Sequence, residues 1–432
     1  MFEGVLVMDV LSVAVVVLNW NGRFLLPDCL NALKKQDYPD YQIIVVDNAS
    51  TDDSVTYLQA YHPDVTLIQS EQNLGYAGGN NIALRHLDTD IAILLNPDVI
   101  VDPDWLREIT AVFRTDPQIG IVGCKLYYPG RELVQHAGGK ITWPLALPGH
   151  LGGKQPDTGQ YDILQDVDYV IGAAIAIRRN VLQTVGLLDD AFFLFYEDVD
   201  WCFRARGAGY RVVYAPRATA VHIESVTTRP KSPAYRYRFH TSRWRFLLKH
   251  YPPAKILTET VPAEIQWIPQ HDNIGQMALA HAYLQAIRQL PTFAHIPTST
   301  QEQIWLALQQ LREHAFGSRS LAELMRQIEG ETEGQKRPFR ARHSLFAPLI
   351  LPIRRLWHYM TAPYLLAIHQ QQSQFNRQIA HTVHTVFQRL QRQDRQQTQY
   401  LFELAQTRQQ LKKIHQRLTN LEKQLADWEQ TD

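Results

Sequence analysis

The chain has 432 residues, more than a single hydrophobic core usually organises, so its length predicts roughly two or three structural units. Its 43 Lys and Arg residues are balanced by 43 Asp and Glu residues, which excludes an overall positive field that would attract nucleic acid. The widely spaced cysteines Cys29, Cys124 and Cys202 exclude a disulfide framework and a zinc site, and they indicate a cytoplasmic protein.

The first apolar run extends from Val5 to Leu18 and has the hydrophobicity of a signal peptide. Asp9 interrupts it, however, and neither a preceding basic region nor a following cleavage site accompanies it. We interpret it as a leader followed by the first strand. Because no uninterrupted apolar run reaches the ~18 residues that a membrane-spanning helix needs, we expect a soluble or peripheral protein.

Short β-rich runs alternate with helical patterns between Val13 and about Val221, which predicts a doubly wound, mostly parallel α/β sheet. Four of these runs are almost entirely apolar, as expected for parallel strands that carry helices on both faces. They are Val13–Leu18, Gln42–Val46, Val65–Ile68 and Ile91–Leu95.

Polar residues and glycines follow these runs, at the edge where open α/β sheets bind ligands. They are Asn19, Asn21, Asp47, Asn48, Asn73, Gly78, Gly79, Asn81, Asn96 and Asp98. Asp47 fits either a ligand contact or a helix cap, and the glycines fit either close approach of a ligand to the backbone or an ordinary turn. Asp98 is a hard oxygen ligand of the kind that a divalent cation prefers.

A second group of candidates comes later in the chain. Small residues between Val170 and Arg179 leave room for an acceptor. Glu197 and Asp198 follow an aromatic run, and such surroundings raise the pKa of a carboxyl group and suit a general base. The alternative is a helix N-terminus at which Glu197, Asp198 and Asp200 interact with the helix dipole, and both interpretations are compatible.

Taken in order, these motifs resemble the family 2 glycosyltransferases of the GT-A fold, particularly their rhamnosyltransferase-like branch. The matching segments are Val16–Gly22, Val45–Asp52, Asn73–Asn81 and Leu95–Asp98. The resemblance spans residues 12 to about 225. It implies an inverting enzyme that moves a sugar, with rhamnose as one candidate, from a nucleoside-diphosphate-sugar to a hydroxyl of a glycan or lipid-linked acceptor in cell-surface polysaccharide synthesis.

The same resemblance implies residue roles. Asn19 and Asp47 would hold the nucleoside, Asp98 and His222 would bind Mg²⁺ or Mn²⁺ on the donor diphosphate, and Asp198 would be the catalytic base with Glu197 orienting the acceptor hydroxyl. Asn96 occupies the first position of the family's Asp-x-Asp motif, which leaves the metal with fewer carboxylates. Two alternatives rank lower: a nucleotidyltransferase, for which a glycine-rich basic triphosphate loop is missing, and a non-catalytic scaffold.

Strand-like runs disappear near residue 250, which predicts a GT-A domain over 1–250 and a helical region over 251–329. A basic linker over 330–344 precedes an apolar, proline-interrupted segment over 345–370. That segment either lies on the inner face of the plasma membrane or packs on the enzyme domain. Heptad spacing between Val383 and Trp428 predicts a coiled coil over 371–432 and self-association, the alternative being a long amphipathic helix folded on its own chain.

One further stretch carries several basic and aromatic side chains on a predicted helix. Its cationic residues are Arg236, Arg238, Arg243 and Arg245. They fit either contacts to a phosphorylated lipid-linked acceptor or a solvated basic helix packed on the domain.

Overall fold

The computed structural model describes residues 10–223 and 232–316. The predicted basic linker, apolar segment and coiled coil lie outside these residues, as do most of the predicted leader and residues 317–329 of the predicted helical region. Those parts of the sequence analysis stay predictions.

The strands of the described residues are numbered in chain order. They are β1 (Val13–Asn19), β2 (Tyr41–Asp47), β3 (Thr66–Gln69), β4 (Ile91–Leu95), β5 (Val99–Val101), β6 (Ile119–Tyr127), β7 (Leu133–His136), β8 (Gly139–Thr142), β9 (Leu147–His150), β10 (Gln155–Pro156), β11 (Gln165–Asp166), β12 (Ala174–Arg178) and β13 (Arg211–His222). The four predicted apolar strands are all present, each with its ends within one residue of the prediction.

The helices are numbered in the same way. They are α1 (Leu26–Leu33), α2 (Ser54–Tyr61), α3 (Gly75–Leu84), α4 (Trp105–Thr115), α5 (Arg179–Val185), α6 (Glu197–Gly207), α7 (Pro233–His250), α8 (Pro253–Lys255), α9 (Val261–Trp267), α10 (Asn273–Gln289) and α11 (Thr298–Phe316). Among the described helices, none combines the length and the apolar character needed to cross a membrane.

The main sheet has the strand order β3-β2-β1-β4-β12-β6-β7-β10, and β13 pairs with β6. Strands β3, β2, β1 and β4 are parallel, as the sequence predicted. β12 is antiparallel to both β4 and β6, and β7 is antiparallel to β6. The sheet is therefore mixed: the expectation of parallel strands is correct for β3, β2, β1 and β4 and for the pair of β13 with β6, but not for β12 and β7.

Helices cover both faces of this sheet, as a doubly wound fold requires. Along β1, Val13, Val15 and Val17 belong to a core that includes residues of α1 and α4. The intervening Ala14 and Val16 belong to a second core that includes residues of α3 and α6. This split follows from the two-residue period of a strand, which sends successive side chains to opposite faces.

The second core continues into the helices beyond residue 250. Trp244 of α7, Leu279 and Tyr283 of α10 and Leu308 of α11 are fully buried members of the same cluster as Val16. Strands do give way to helices near residue 250, as predicted. The helical region nevertheless shares a hydrophobic core with the sheet through α7. The helices that follow α7 are therefore packed as part of the sheet domain.

Two local features place the site. β13 is one strand of 12 residues with an irregularity between Ala215 and Thr219. It therefore runs continuously to His222 at the ligand-binding edge of the sheet.

α7 begins with Pro233 at its first turn, and the Ser232 hydroxyl accepts a hydrogen bond from the Tyr235 N–H at 3.2 Å.

Candidate active site

A cavity of about 880 Å³ lies at this edge of the sheet. Several of the sequence-predicted site residues line it, namely Asn48, Asn73, Asn96, Asp98, Glu197, Asp198 and His222. The others do not line it, namely Asn19, Asn21, Asp47, Gly78, Gly79 and Asn81. The structure thus brings the predicted acid pair and the predicted metal ligands into one space.

The acid pair opens α6. Burial and the negative charge of Asp198 raise the pKa of Glu197 well above its ordinary value, and one Glu197 carboxyl oxygen is buried without a hydrogen-bond partner. Burial also raises the pKa of Asp198, although its oxygens accept N–H groups from Gly172 at 2.7 Å and Val199 at 2.8 Å. Because more backbone donors support the anion of Asp198, and because the pKa of Glu197 is the one raised well above its ordinary value, a proton shared by the pair resides on Glu197.

Backbone strain accompanies this pair. Phe195 and Tyr196 have φ values of 72° and 67°, in the left-handed region that residues with side chains seldom occupy. The Tyr196 hydroxyl donates to the Ala146 carbonyl at 2.7 Å, and the Phe195 ring lies 4.7 Å from that of Tyr235. Packing thus holds a conformation that turns the start of α6 toward the cavity, and such strain is concentrated at functional sites.

Asp98 and His222 form the second pair. β5 and β13 are antiparallel with His222 opposite Val99, and the Ile223 N–H donates to the Asp98 carbonyl at 2.9 Å. This backbone pairing brings the two side chains together, and Asp98 Oδ1 lies 3.3 Å from His222 Nε2. The other ring nitrogen, Nδ1, lies 2.6 Å from Gln135 Oε1.

A divalent cation fits this pair. Asp98 Oδ1 is buried and accepts no hydrogen bond, so an anionic oxygen is left uncompensated beside an imidazole nitrogen. Carboxylate and imidazole are both ligands of Mn²⁺, and carboxylate is also the usual protein ligand of Mg²⁺. Across residues 10–223 and 232–316 there is no cluster of three His, Cys, Asp or Glu residues able to hold a metal. Two protein ligands suit a cation that takes its remaining ligands from a diphosphate and water.

Asn19 and Asp47 lie side by side at the ends of β1 and β2. Asn19 Nδ2 donates to Asp47 Oδ1 at 3.0 Å, and the Ser50 N–H donates to Asp47 Oδ2 at 3.0 Å. Asn21 Oδ1 accepts the Thr51 N–H at 2.7 Å. These bonds fix the loop after β2. The helix-cap alternative for Asp47 is wrong, because α2 begins only at Ser54.

Asn48 organises the next loop, which forms part of the cavity wall. Its Oδ1 accepts the Leu74 N–H at 2.9 Å, and its Nδ2 donates to Asn73 Oδ1 at 3.1 Å. Asn81 lies farther from the cavity, where its amide exchanges hydrogen bonds of 2.9 and 3.1 Å with the main chain of Leu188. Asn81 therefore ties α3 to the segment that leads to the acid pair.

Gly78 and Gly79 have a packing role instead of the expected approach to a ligand. Both lie inside α3, in which a Cβ on Gly78 would lie 2.9 Å from the Leu74 Cβ. A Cβ on Gly79 would lie 2.6 Å from Leu18 Cδ1. The glycines let α3 pack closely on β1 and on its own first turn, so they affect the cavity wall without lining the cavity.

Neither expectation for the arginines of α7 holds for the group as a whole. Most of them are ion-paired: Arg236 with Asp272, Arg243 with Glu264 at 2.6 Å and Arg245 with Asp189 at 2.8 Å. Arg238 alone of the four lines the cavity, where its guanidinium lies 4.4 Å above the Phe193 ring. The helix is thus neither a solvated face nor a cluster of free cations.

The residues from β7 to the loop after β9 received no site assignment from the sequence. Gln135, His150 and Lys154 from this stretch nevertheless line the cavity. Gln135 is separated by 87 residues from His222, with which it makes a hydrogen bond. No motif or spacing in the sequence could have identified that partnership, because it arises only from strand pairing.

Comparison with known proteins finds a family that part of this chain resembles. The family model described as Glycosyl transferase family 2 matches residues 12–186. An N-acetylglucosaminyl-diphospho-decaprenol L-rhamnosyltransferase of Mycobacterium tuberculosis is 25% identical over 229 residues, covering 48% of this chain and 74% of the relative. The O-antigen chain rhamnosyltransferase RfbN of Salmonella typhimurium is 26% identical over 284 residues, covering 57% of this chain and 86% of the relative.

A protein of Sinorhizobium fredii, y4gI, is 33% identical over 213 residues, which are 47% of this chain. The chain spans only 23% of the length of that relative, and less than two thirds of the length of several others. The family match includes Asp98 and ends before Glu197, Asp198 and His222. Residues 12–186 are thus similar to glycosyl transferase family 2.

Proposed function

We propose that this chain is an inverting, metal-dependent glycosyltransferase acting in cell-surface polysaccharide synthesis. It transfers a sugar from a nucleoside-diphosphate-sugar to a hydroxyl of a glycan or lipid-linked acceptor. The observation that carries the proposal is the convergence of two pairs in one cavity, Glu197 with Asp198 and Asp98 with His222. A base and a site for a diphosphate-bound cation are what displacement at an anomeric carbon requires.

Asp198 is the base in this proposal. It takes the proton of the acceptor hydroxyl, whose oxygen forms a bond to the anomeric carbon while the bond from that carbon to the diphosphate oxygen breaks. The nucleoside diphosphate leaves with the bonding electron pair, and the configuration at the anomeric carbon inverts. Burial raises the pKa of Asp198, which strengthens it as a base. Glu197, kept protonated by its burial, donates a hydrogen bond that orients the acceptor.

Asp98 and His222 hold the cation in this proposal. A bound Mg²⁺ or Mn²⁺ supplies positive charge that stabilises the departing diphosphate. The buried Asp98 Oδ1, which accepts no hydrogen bond, supports this assignment. Asn96 lines the cavity beside Asp98 and offers an amide in place of a second carboxylate.

The donor nucleoside is assigned to the part of the cavity lined by Asn48 and Asn73. In this proposal the Asn19–Asp47 pair fixes the adjoining loop, and its side-chain oxygens accept hydrogen bonds from the base or ribose. Asn19 Oδ1 is buried without a hydrogen-bond partner, so it keeps an acceptor for a ligand donor. The relatives named as rhamnosyltransferases make dTDP-rhamnose the first donor to test.

Two assembly properties are proposed from the sequence alone. Residues 371–432 form a coiled coil that makes the chain a homo-oligomer, and residues 345–370 either contact the inner face of the membrane or pack on the enzyme domain. Truncation after residue 370 should reduce the number of chains per particle, as calculated from the mass measured by light scattering. An unchanged number of chains would contradict the coiled-coil proposal.

A thermal-shift screen tests the function. Nucleoside diphosphates and nucleotide-sugars are added to the full chain with and without Mn²⁺. We expect Tm to rise only when nucleotide and metal are both present. Stabilisation by a nucleoside triphosphate, followed by pyrophosphate release, would favour a nucleotidyltransferase. No response to any nucleotide would favour a non-catalytic scaffold.

A further inference from the structure

Gln135 contacts the predicted metal ligand His222 and is itself nearly inaccessible to solvent. It lies in β7, and its side chain is 5% exposed. Gln135 Oε1 lies 2.6 Å from His222 Nδ1, and Gln135 Nε2 lies 3.5 Å from the His222 carbonyl oxygen. Both ends of one amide therefore meet the same residue.

The amide orientation in this structure satisfies both contacts. With Nε2 toward the carbonyl oxygen, a donor faces an acceptor, and Oε1 is left to accept a hydrogen bond from the imidazole. The flipped amide would set its oxygen against the carbonyl oxygen, two acceptors with no proton between them. The orientation found here thus requires the proton of a neutral His222 ring to be on Nδ1.

The tautomer has a consequence at the other ring nitrogen. In the neutral ring protonated on Nδ1, Nε2 carries a lone pair. That nitrogen lies 3.3 Å from Asp98 Oδ1, which accepts no hydrogen bond although it is buried. Two electron-pair donors therefore face each other across a short gap, an arrangement that a cation between them relieves.

We propose that Gln135 is a positioning residue that holds His222 in the Nδ1–H tautomer, so that Nε2 and Asp98 Oδ1 can bind a divalent cation together. The inference rests on the proposed metal role of Asp98 and His222 and adds to it the residue that prepares the imidazole. Hydrogen bonds of this kind to a ligating histidine typically change metal affinity by about 10- to 100-fold.

The test measures Mn²⁺ binding instead of transfer. Free Mn²⁺ is followed by electron paramagnetic resonance while Mn²⁺ is titrated into the full chain, alone and with dTDP, UDP or GDP. Gln135→Met removes the acceptor oxygen and keeps the side-chain length, so it should weaken Mn²⁺ binding about 10- to 100-fold. Gln135→Glu keeps an oxygen opposite Nδ1 and should restore most of the affinity. Gln118→Met, at an exposed glutamine, is the control.

A double-mutant cycle separates positioning from a general structural effect. In a His222→Ala background, Gln135→Met should weaken Mn²⁺ binding no further, because the imidazole it orients is gone. An equal loss in both backgrounds would overturn the inference, and so would wild-type affinity in Gln135→Met when His222→Ala binds weakly. If the wild-type chain binds no Mn²⁺ with any of the three nucleotides, the proposed metal role falls together with the inference.

Discussion

Glu197 and Asp200 lie one turn apart in α6, yet the pKa values of their carboxyl groups are shifted in opposite directions. Burial and the neighbouring carboxylate raise the pKa of Glu197. Burial alone would also raise the pKa of Asp200, but a hydrogen bond from His250 and the charges of Arg204 and Lys249 lower it. One helix turn thus contains a carboxyl group that keeps its proton and a structural anion with three cationic or donor partners.

The raised pKa of Glu197 predicts a pH-dependent effect of Glu197→Gln on stability. Between the pKa of the unfolded chain, about 4.3, and the higher folded value, the unfolded state loses a proton that the folded state keeps. Wild-type stability is therefore lost as pH rises through this window, by up to about 1.4 kcal/mol per pH unit, and glutamine avoids the loss. Urea unfolding should show that the variant becomes more stable relative to wild type as pH rises above about 4.

The exposed Glu302→Gln is the control for this measurement, because its carboxyl group is in water in both states. A difference between Glu197→Gln and wild type that stays constant, or that shrinks as pH rises, would contradict a raised pKa at Glu197.

Asp200→Asn should destabilise the fold at neutral pH. It leaves Arg204, 2.8 Å from an Asp200 oxygen, without its anionic partner, and it removes one of the two carboxylates that pair with Lys249. Breaking a buried ion pair from one side typically costs about 3–5 kcal/mol. Because the folded pKa is lowered, the contribution of Asp200 is present above the unfolded pKa of about 3.9 and is lost as pH falls below it. Urea unfolding at neutral and acidic pH measures both effects.

Asp190→Asn, at an exposed carboxylate near the same helix, provides the matched control. Equal unfolding free energies of Asp200→Asn and Asp190→Asn at neutral pH would show that the ion-pair cluster contributes nothing.

Gly79→Ala should lower stability and disturb the wall of the cavity. The added methyl group would lie 2.6 Å from Leu18 Cδ1 and 3.1 Å from Asn48 Nδ2, and such overpacking costs about 1–3 kcal/mol. Gly207→Ala is the matched control, because no atom lies within 4 Å of its added Cβ at the end of α6. It should be neutral or stabilising by about 0.4–1 kcal/mol. Thermal unfolding that ranks the two variants in the reverse order would refute the packing role of Gly79.

The sequence was most informative where local pattern determines structure. Apolar runs of the right length predicted the parallel strands, since a strand buried on both faces needs such side chains throughout. Glu197 and Asp198 were identified because acidic residues after an aromatic run suit both a helix start and a base. Pairing direction is not encoded in this way, so the antiparallel β12 was missed.

Contacts between distant segments account for most of the remaining differences. Arg243 looked like part of a basic surface, but it is fully buried against Glu264, which comes from a different helix. Gln135 looked like an ordinary strand residue, because its significance depends on the pairing of β7 and β13 with β6, which brings it to His222. Charge and polarity can be read from a sequence, whereas the partner that satisfies a buried charge cannot.

The most direct measurement compares nucleoside diphosphate release from dTDP-rhamnose and other nucleotide-sugars by the wild-type chain, Asp198→Asn and the control Asp190→Asn, with Mn²⁺ present. We expect wild type and Asp190→Asn to release the nucleoside diphosphate. Release by Asp198→Asn should be about 10²- to 10⁴-fold slower, with nucleotide affinity unchanged. Release by Asp198→Asn at the wild-type rate would contradict the assignment of Asp198 as the base.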